Sequence, residues 1–300
     1  RNDYDERMLS AFDSLAKPYG FPWRIKDLLP KVRVAGQPAG RLTEAGARLL
    51  DPSGALQSGV PVAPPEGDAG TGMIATDSVA MRTGNVSAGT SIFAMVVLEQ
   101  PLSRMYPEID MVTTPAGRPV AMAHCNNCTS DWDAWVKVLK ETASLFGADP
   151  STPELYDRLY EKSLEGADDC AGILTYNYLS GEPVTGLAEG RPMVVRRPDA
   201  QFTLSNFLRA NLYSALASLR VGMEILFREG ARFDRLMGHG GLFKTEYVGQ
   251  KYMADAMGIP VSVMATAGEG GPYGMAVLAG YLLWKRTDES LDEYLAGFHT

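Results

Sequence analysis

The last hundred residues of this 300-residue chain alternate helix and short strand, with glycines at the strand-to-helix crossings. Apolar spacing predicts helices over 203–229, 245–257 and 273–285, and strands over 235–237 and 261–264. Glycine loops follow both strands, at 238–241 and 268–271. That order restricts the region to an α/β fold, because a strand followed by a crossover helix returns beside its neighbour in parallel.

The preceding two hundred residues are more mixed. A helix is expected over 3–15, two short extended pieces lie around a Gly/Pro turn before Thr43, and Thr43 with Glu44 opens a helix closed at Asp51. Strands are predicted over 85–87 and 91–98, a hairpin around 115–117, and helices over 132–145 and 153–164. Residues 171–197 read as one long irregular stretch, of the kind that often carries function.

Charge narrows the partners. The 36 acidic residues outnumber 28 basic ones, giving a net charge of −8, and no basic run exceeds a pair such as Arg196 and Arg197. A nucleic-acid footprint is therefore missing, and a small molecule or a second copy of the chain is the expected partner. No apolar run approaches a membrane span, and the first residues, RNDYDERM, lack the basic and apolar regions of a signal peptide. Three cysteines are too few for a disulfide framework, which favours a reducing, cytoplasmic compartment.

Three glycine-rich junctions carry the chemistry. In PPEGDAGTGMIATDSV, Asp68 stands among small residues at the start of a helix expected to run to about Val79. It reads either as an N-cap or as a base facing a ligand, with Glu66 as a rival carboxylate. In GNVSAGTS, the turn at 87–91 either presents backbone N–H groups and hydroxyls to an anion or is a plain hairpin with a bulge at Gly89. In LMGHGGLFKTEYVGQ, a strand, a glycine turn and a helix start have the order usual for a nucleotide at the carboxyl edge of a sheet, although no GK(S/T) follows and the GxGxxG spacing is missing. A fourth junction, TAGEGGPYGMAVLAG, reads most simply as close helix packing.

His124, Cys125 and Cys128 in HCNNC raise the alternative of zinc or a redox pair. Zinc asks for four ligands, and His124 and Cys125, adjacent on a strand, should face opposite ways. Buried structural cysteines are the simpler reading.

These motifs, in this order, resemble the C-terminal part of the FGGY carbohydrate kinases, most closely the xylulokinase-like branch. GDAGTGMIATDSV, GNVSAGTS, GHGG with a helix containing Gln250, and GEGGPYGMAVLAGYLL carry the resemblance, and VAGQPAGRLTEAGARLL is similar to the segment that leads into the family's catalytic aspartate. The resemblance implies an actin-like, ribonuclease H-like fold. Residues 1–82 would then be the end of an incomplete N-terminal, sugar-binding domain, and 83–300 the C-terminal, nucleotide-binding domain. It implies that Asp68 is the general base, that Gly89 and Thr90 bind phosphate, and that Gly240, Gly241 and Thr245 face adenosine, with threonine at 245 where relatives often carry Asn.

The implied reaction moves the γ-phosphoryl group of ATP to a sugar hydroxyl, with Mg2+ carried by phosphate oxygens and water. A ketopentose such as xylulose is the expected substrate. The competing class is an ATP-responsive regulatory or structural protein of the same fold, which would keep the nucleotide motifs and need no base. A homodimer stays open.

Overall fold

The computed structural model describes residues 3–264 and 270–298, so the glycine loop that follows residue 264 lies largely outside the described residues. The chain divides into two compact units. One comprises the residues up to Glu66, Pro115–Gly117 and those from Met275 on; the other comprises Gly67–Thr114 and Arg118–Gly274.

In the first unit α1 (Glu6–Ala16) begins where the Asp5 carboxylate accepts the N–H groups of Arg7 and Met8. A single-turn α2 (Ile25–Leu28) follows. The extended pieces expected before Thr43 reduce to β1 (Gly40–Arg41), which pairs antiparallel with β2 (Pro61–Val62) across α3 (Glu44–Leu50). As expected, Thr43 caps α3, its hydroxyl accepting the Gly46 N–H.

The second unit is built on a sheet. It opens with α4 (Asp68–Ala75), then β3 (Thr83–Ala88), β4 (Ile92–Val97), β5 (Ile109–Thr113) and β6 (Pro119–Cys125). Two helices follow, α5 (Ser130–Leu145) and α6 (Thr152–Ser163). After β7 (Ile173–Tyr176) and β8 (Met193–Arg196) come α7 (Leu204–Arg228), β9 (Arg235–His239), α8 (Val248–Met257) and β10 (Val261–Val263). The chain closes through α9 (Gly270–Trp284) and α10 (Leu291–Ala296).

Six strands lie in the order β10-β9-β3-β4-β6-β5. β10, β9 and β3 run parallel, whereas β3, β4, β6 and β5 are antiparallel to their neighbours, with β6 between β4 and the edge strand β5. Alternation along β3 sends Val86 and Ala88 to one face and Asn85 to the other. The Val86 face joins the core around α7, where Leu208, Leu212, Leu216, Leu219, Met223 and Leu226 are essentially without solvent contact. A helix buried along so much of its length is held by packing rather than by propensity.

Three sequence expectations need correction. The stretch 171–197 is not irregular throughout: β7 and β8 pair, with Leu174 opposite Val195. α4 ends at Ala75 rather than near Val79. The Thr76 hydroxyl donates to the Gly72 carbonyl, the Ser78 hydroxyl donates to that of Met73, and Asp77 turns to φ 48°. The helix expected to start at Thr245 begins at Val248, after a 3-10 turn at Gly241–Phe243 and a left-handed Tyr247 at φ 69°.

All three cysteines are free and buried. Cys125 joins the core cluster, while His124 sits beside the Phe93 ring on the neighbouring strand. Burial pushes the Cys125 thiol far up and that of Cys128 up to about 12, so neither forms a thiolate near neutral pH. The native protein should therefore leave a disulfide reagent essentially unconsumed at pH 8, and release three equivalents of thiol on unfolding. A thiol that reacts within seconds in the native state would contradict this burial.

Candidate active site

The parallel pairing of β3 with β9 brings two of the glycine junctions together. Val86 lies opposite Gly238 and Ser87 opposite His239, so both strands deliver their turns to the same edge of the sheet. Beyond β3 comes the turn at Gly89 and Thr90; beyond β9 come Gly240 and Gly241.

Gly240 is fixed by its surroundings. It sits at φ 99°, ψ −175°, a region that residues with a Cβ avoid, and a Cβ there would stand 2.5 Å from the Ala88 carbonyl oxygen. The β9 turn thus lies directly against the end of β3. Gly241 is looser, its nearest such neighbour being the same oxygen at 4.0 Å.

Gly89 differs in kind. Its φ is not positive, a Cβ would meet nothing within 4 Å, and the ladder runs to Ala88 opposite Ile92 without an extra residue. The bulge reading therefore fails. Neither strain nor crowding asks for glycine here, and what glycine provides is open space over a backbone.

The carbonyls of this turn are held from behind. The Thr129 N–H and hydroxyl both donate to the Gly89 carbonyl, at 3.0 and 2.9 Å. The Cys128 N–H donates to the Thr90 carbonyl at 3.1 Å, and the Ser130 hydroxyl donates to it at 3.3 Å. Thr90 itself is exposed. With the carbonyls drawn back, the turn offers the outside an N–H and a hydroxyl at Thr90, the donor set an anion requires.

Asp68 is the first residue of α4, and the N-cap position falls to Gly67. The N-cap reading is thereby corrected. The carboxylate is exposed and accepts the N–H of its neighbour Ala69 at 2.8 Å. One turn on, Gly72 rests on Asn85 and His239, since a Cβ there would meet Asn85 Nδ2 and His239 Nε2 at 3.5 Å each. Residues four apart share a helix face, so Asp68 starts from the face of α4 that covers β3 and β9.

Asn85 and His239 escaped the sequence reading. Asn85 Nδ2 lies 3.3 Å from His239 Nε2, and desolvation lowers the imidazole's affinity for a proton, keeping it neutral at pH 7. Asn85 is fully buried and its Oδ1 has no hydrogen-bond partner among the described residues. The available signal was an Asn inside a strand of buried residues, a position where that residue type is depleted.

Thr245 is brought to the same region of the chain but turned inward. It is buried, and its hydroxyl donates to Asp157 Oδ1 on α6 at 2.7 Å. That bond ties the segment after the Gly240 turn to the helical layer.

Comparison with known proteins decides what this arrangement belongs to. Residues 84–283 match the C-terminal domain that defines the FGGY family of carbohydrate kinases. The chain belongs to the FGGY family. Xylulose kinase from Haemophilus influenzae is 25% identical over 236 residues, covering 77% of this chain and 43% of that enzyme. Among solved structures, gluconate kinase from Lactobacillus acidophilus superposes with a TM-score of 0.73 at 16% identity, over 99% of this chain and 54% of that one. Plasmodium falciparum glycerol kinase with ADP gives 0.70 at 16% identity, over 98% and 53% respectively.

The FGGY chain thus spans about half the length of the relatives it matches, and it has the actin-like α/β fold of these kinases. Among the described residues no helix is long and apolar enough to cross a membrane.

Proposed function

We propose that this chain is the nucleotide-binding half of an ATP-dependent sugar kinase, with Asp68 as the base. The observation that supports it most is the Gly89–Thr90 turn: its carbonyls are tied back, its glycine has no structural need to be one, and Gly240 packs on Ala88 just before it. In this reading residues 1–82 are the end of the sugar-binding domain and 83–300 the nucleotide-binding domain.

The Thr90 N–H and hydroxyl would hold phosphate oxygens, with the open face of Gly89 admitting them. The Gly240 and Gly241 turn would lie along the adenosine side. Thr245, engaged with Asp157, would keep that segment in place from behind. Asp68 would accept the proton of the attacking hydroxyl and set it in line with the γ-phosphoryl group. Phosphoryl transfer asks little covalent chemistry of a protein, so positioning and charge stabilisation supply most of the rate.

Among the described residues no three His, Cys, Asp or Glu side chains are grouped to hold a metal. Magnesium's preference for phosphate oxygens and water would have it arrive with the ATP, where it would offset charge on the transferring group.

A ketopentose such as xylulose is the proposed substrate, supported by the Haemophilus relative. Gluconate and glycerol kinases share the fold, so a sugar acid and a polyol are the natural competitors. The test is ATP consumption by the full-length protein against pentuloses, hexuloses, polyols and sugar acids. One strongly stimulating sugar would establish the kinase and identify its substrate. Nucleotide binding without any sugar-dependent turnover would instead favour an ATP-responsive regulatory protein.

A further inference from the structure

Glu182 is a carboxylate with no solvent contact, and no cation is paired with it among the described residues. Burying an ion without a counter-charge is costly unless hydrogen bonds replace the lost water. Here they do. Glu182 Oε1 accepts the Asn126 N–H at 3.3 Å, while Oε2 accepts the Asn127 N–H at 3.2 Å and Asn127 Nδ2 at 3.0 Å.

Two successive backbone N–H groups converging on one anion fix the local backbone. Asn127 is locked in return, its Oδ1 accepting the N–H groups of Leu179 and Ser180 at 2.9 and 3.0 Å. Asn177 completes the clamp, its amide donating to the Cys128 carbonyl at 2.9 Å. The next donors along the chain are the Cys128 and Thr129 N–H groups, which hold the Thr90 and Gly89 carbonyls.

We infer that Glu182 is a positioning residue for the Gly89–Thr90 turn: it anchors residues 126–127 so that 128–130 draw the turn's carbonyls away from the nucleotide. The inference rests on the reading of that turn as a phosphate site. A well-packed apolar group could match Glu182 for stability. It could not orient two consecutive N–H groups. That difference separates a positioning role from one of packing.

The test compares ATP dissociation constants, measured by calorimetry on the full-length protein well below its melting temperature. Glu182→Gln keeps the shape but turns an amide N–H toward donors, and ATP binding should weaken about tenfold, the scale of losing a charged hydrogen bond. The control is Glu229→Gln. Glu229 accepts the Ser103 N–H and hydroxyl at 2.6 and 2.7 Å, beyond the opposite end of β4, so its loss should lower the melting temperature and leave ATP binding within about twofold.

Thr129→Val removes one donor from the Gly89 carbonyl, and should weaken binding about threefold alone and by less in the Glu182→Gln background. It carries the test by itself if Glu182→Gln does not fold. Equal weakening in the Glu182 and Glu229 variants, or none in either the Glu182 or the Thr129 variant, overturns the inference. Gly89→Ala separates the two levels, because it adds a methyl group in open space. If it leaves ATP binding intact, the phosphate-site reading fails; if it alone weakens binding, only the role of Glu182 fails.

Discussion

With Asp68 as the proposed base, replacing it with Asn should lower the sugar-dependent turnover of the full-length protein by roughly 10² to 10⁴, or about 3 to 5 kcal/mol of barrier, the range for removing a general base. The substitution isolates chemistry from folding. Asp68 is exposed at the first position of α4, and the one described bond of its carboxylate is from the adjacent N–H of Ala69, so the melting temperature should hardly change. Helix-dipole effects of a lost charge at that site amount to about 1 kcal/mol or less. A steady-state assay with the stimulating sugar checks it. The KM for ATP should stay close to that of the unaltered enzyme, because the carboxylate is assigned to the acceptor hydroxyl and not to the phosphates. A folded Asp68→Asn enzyme with near-normal turnover would pass the role to another carboxylate, with Glu66 first in line.

Gly240→Ala should have the largest effect on the fold and the nucleotide together. The added methyl group must either share space with the Ala88 carbonyl oxygen, 2.5 Å away, or push the β9 turn off the end of β3. The backbone at φ 99°, ψ −175° adds its own penalty for any residue with a side chain. Together these should cost roughly 3 kcal/mol, or about 6 to 12 °C in melting temperature for a unit of this size. Relief by displacement would also separate the two glycine turns, so the KM for ATP should rise by at least about tenfold. A variant that melts normally and binds ATP normally would show that the turn does not pack on β3 as described.

The contrast between the two glycines shows what a sequence can and cannot reveal. Gly89 and Gly240 look alike as letters. Only neighbours in space show that one is required by the backbone and the other leaves room beside it. Local chemistry was legible: Thr43 caps the helix that follows, and the β3–β4 and β5–β6 hairpins follow from alternation and turn residues.

What was not legible depends on distant partners. The helix after Gly241 starts late because a Cβ at Gly238 would meet the Phe243 ring at 2.5 Å and one at Gly249 would meet the Leu242 carbonyl at 2.3 Å. That packing fixes the turn before α8 can begin. β7 and β8 find each other across a segment full of turn residues, and Thr245 finds Asp157, 88 residues earlier. Tertiary contact overrode local preference in each case. The candidate site itself was half visible, as its glycine turns and Asp68 announce themselves by composition, whereas Asn85 and Glu182 do so by burial and the half-buried His239 by its neighbours in space.

The joining of β3 to β9 also sets when the site can exist. Asn85 and His239, which meet beneath α4, are 154 residues apart along the chain. Closing so long a loop is entropically slow and gains little until many contacts form at once. Refolding should therefore assemble the candidate site late, together with the closing of the sheet.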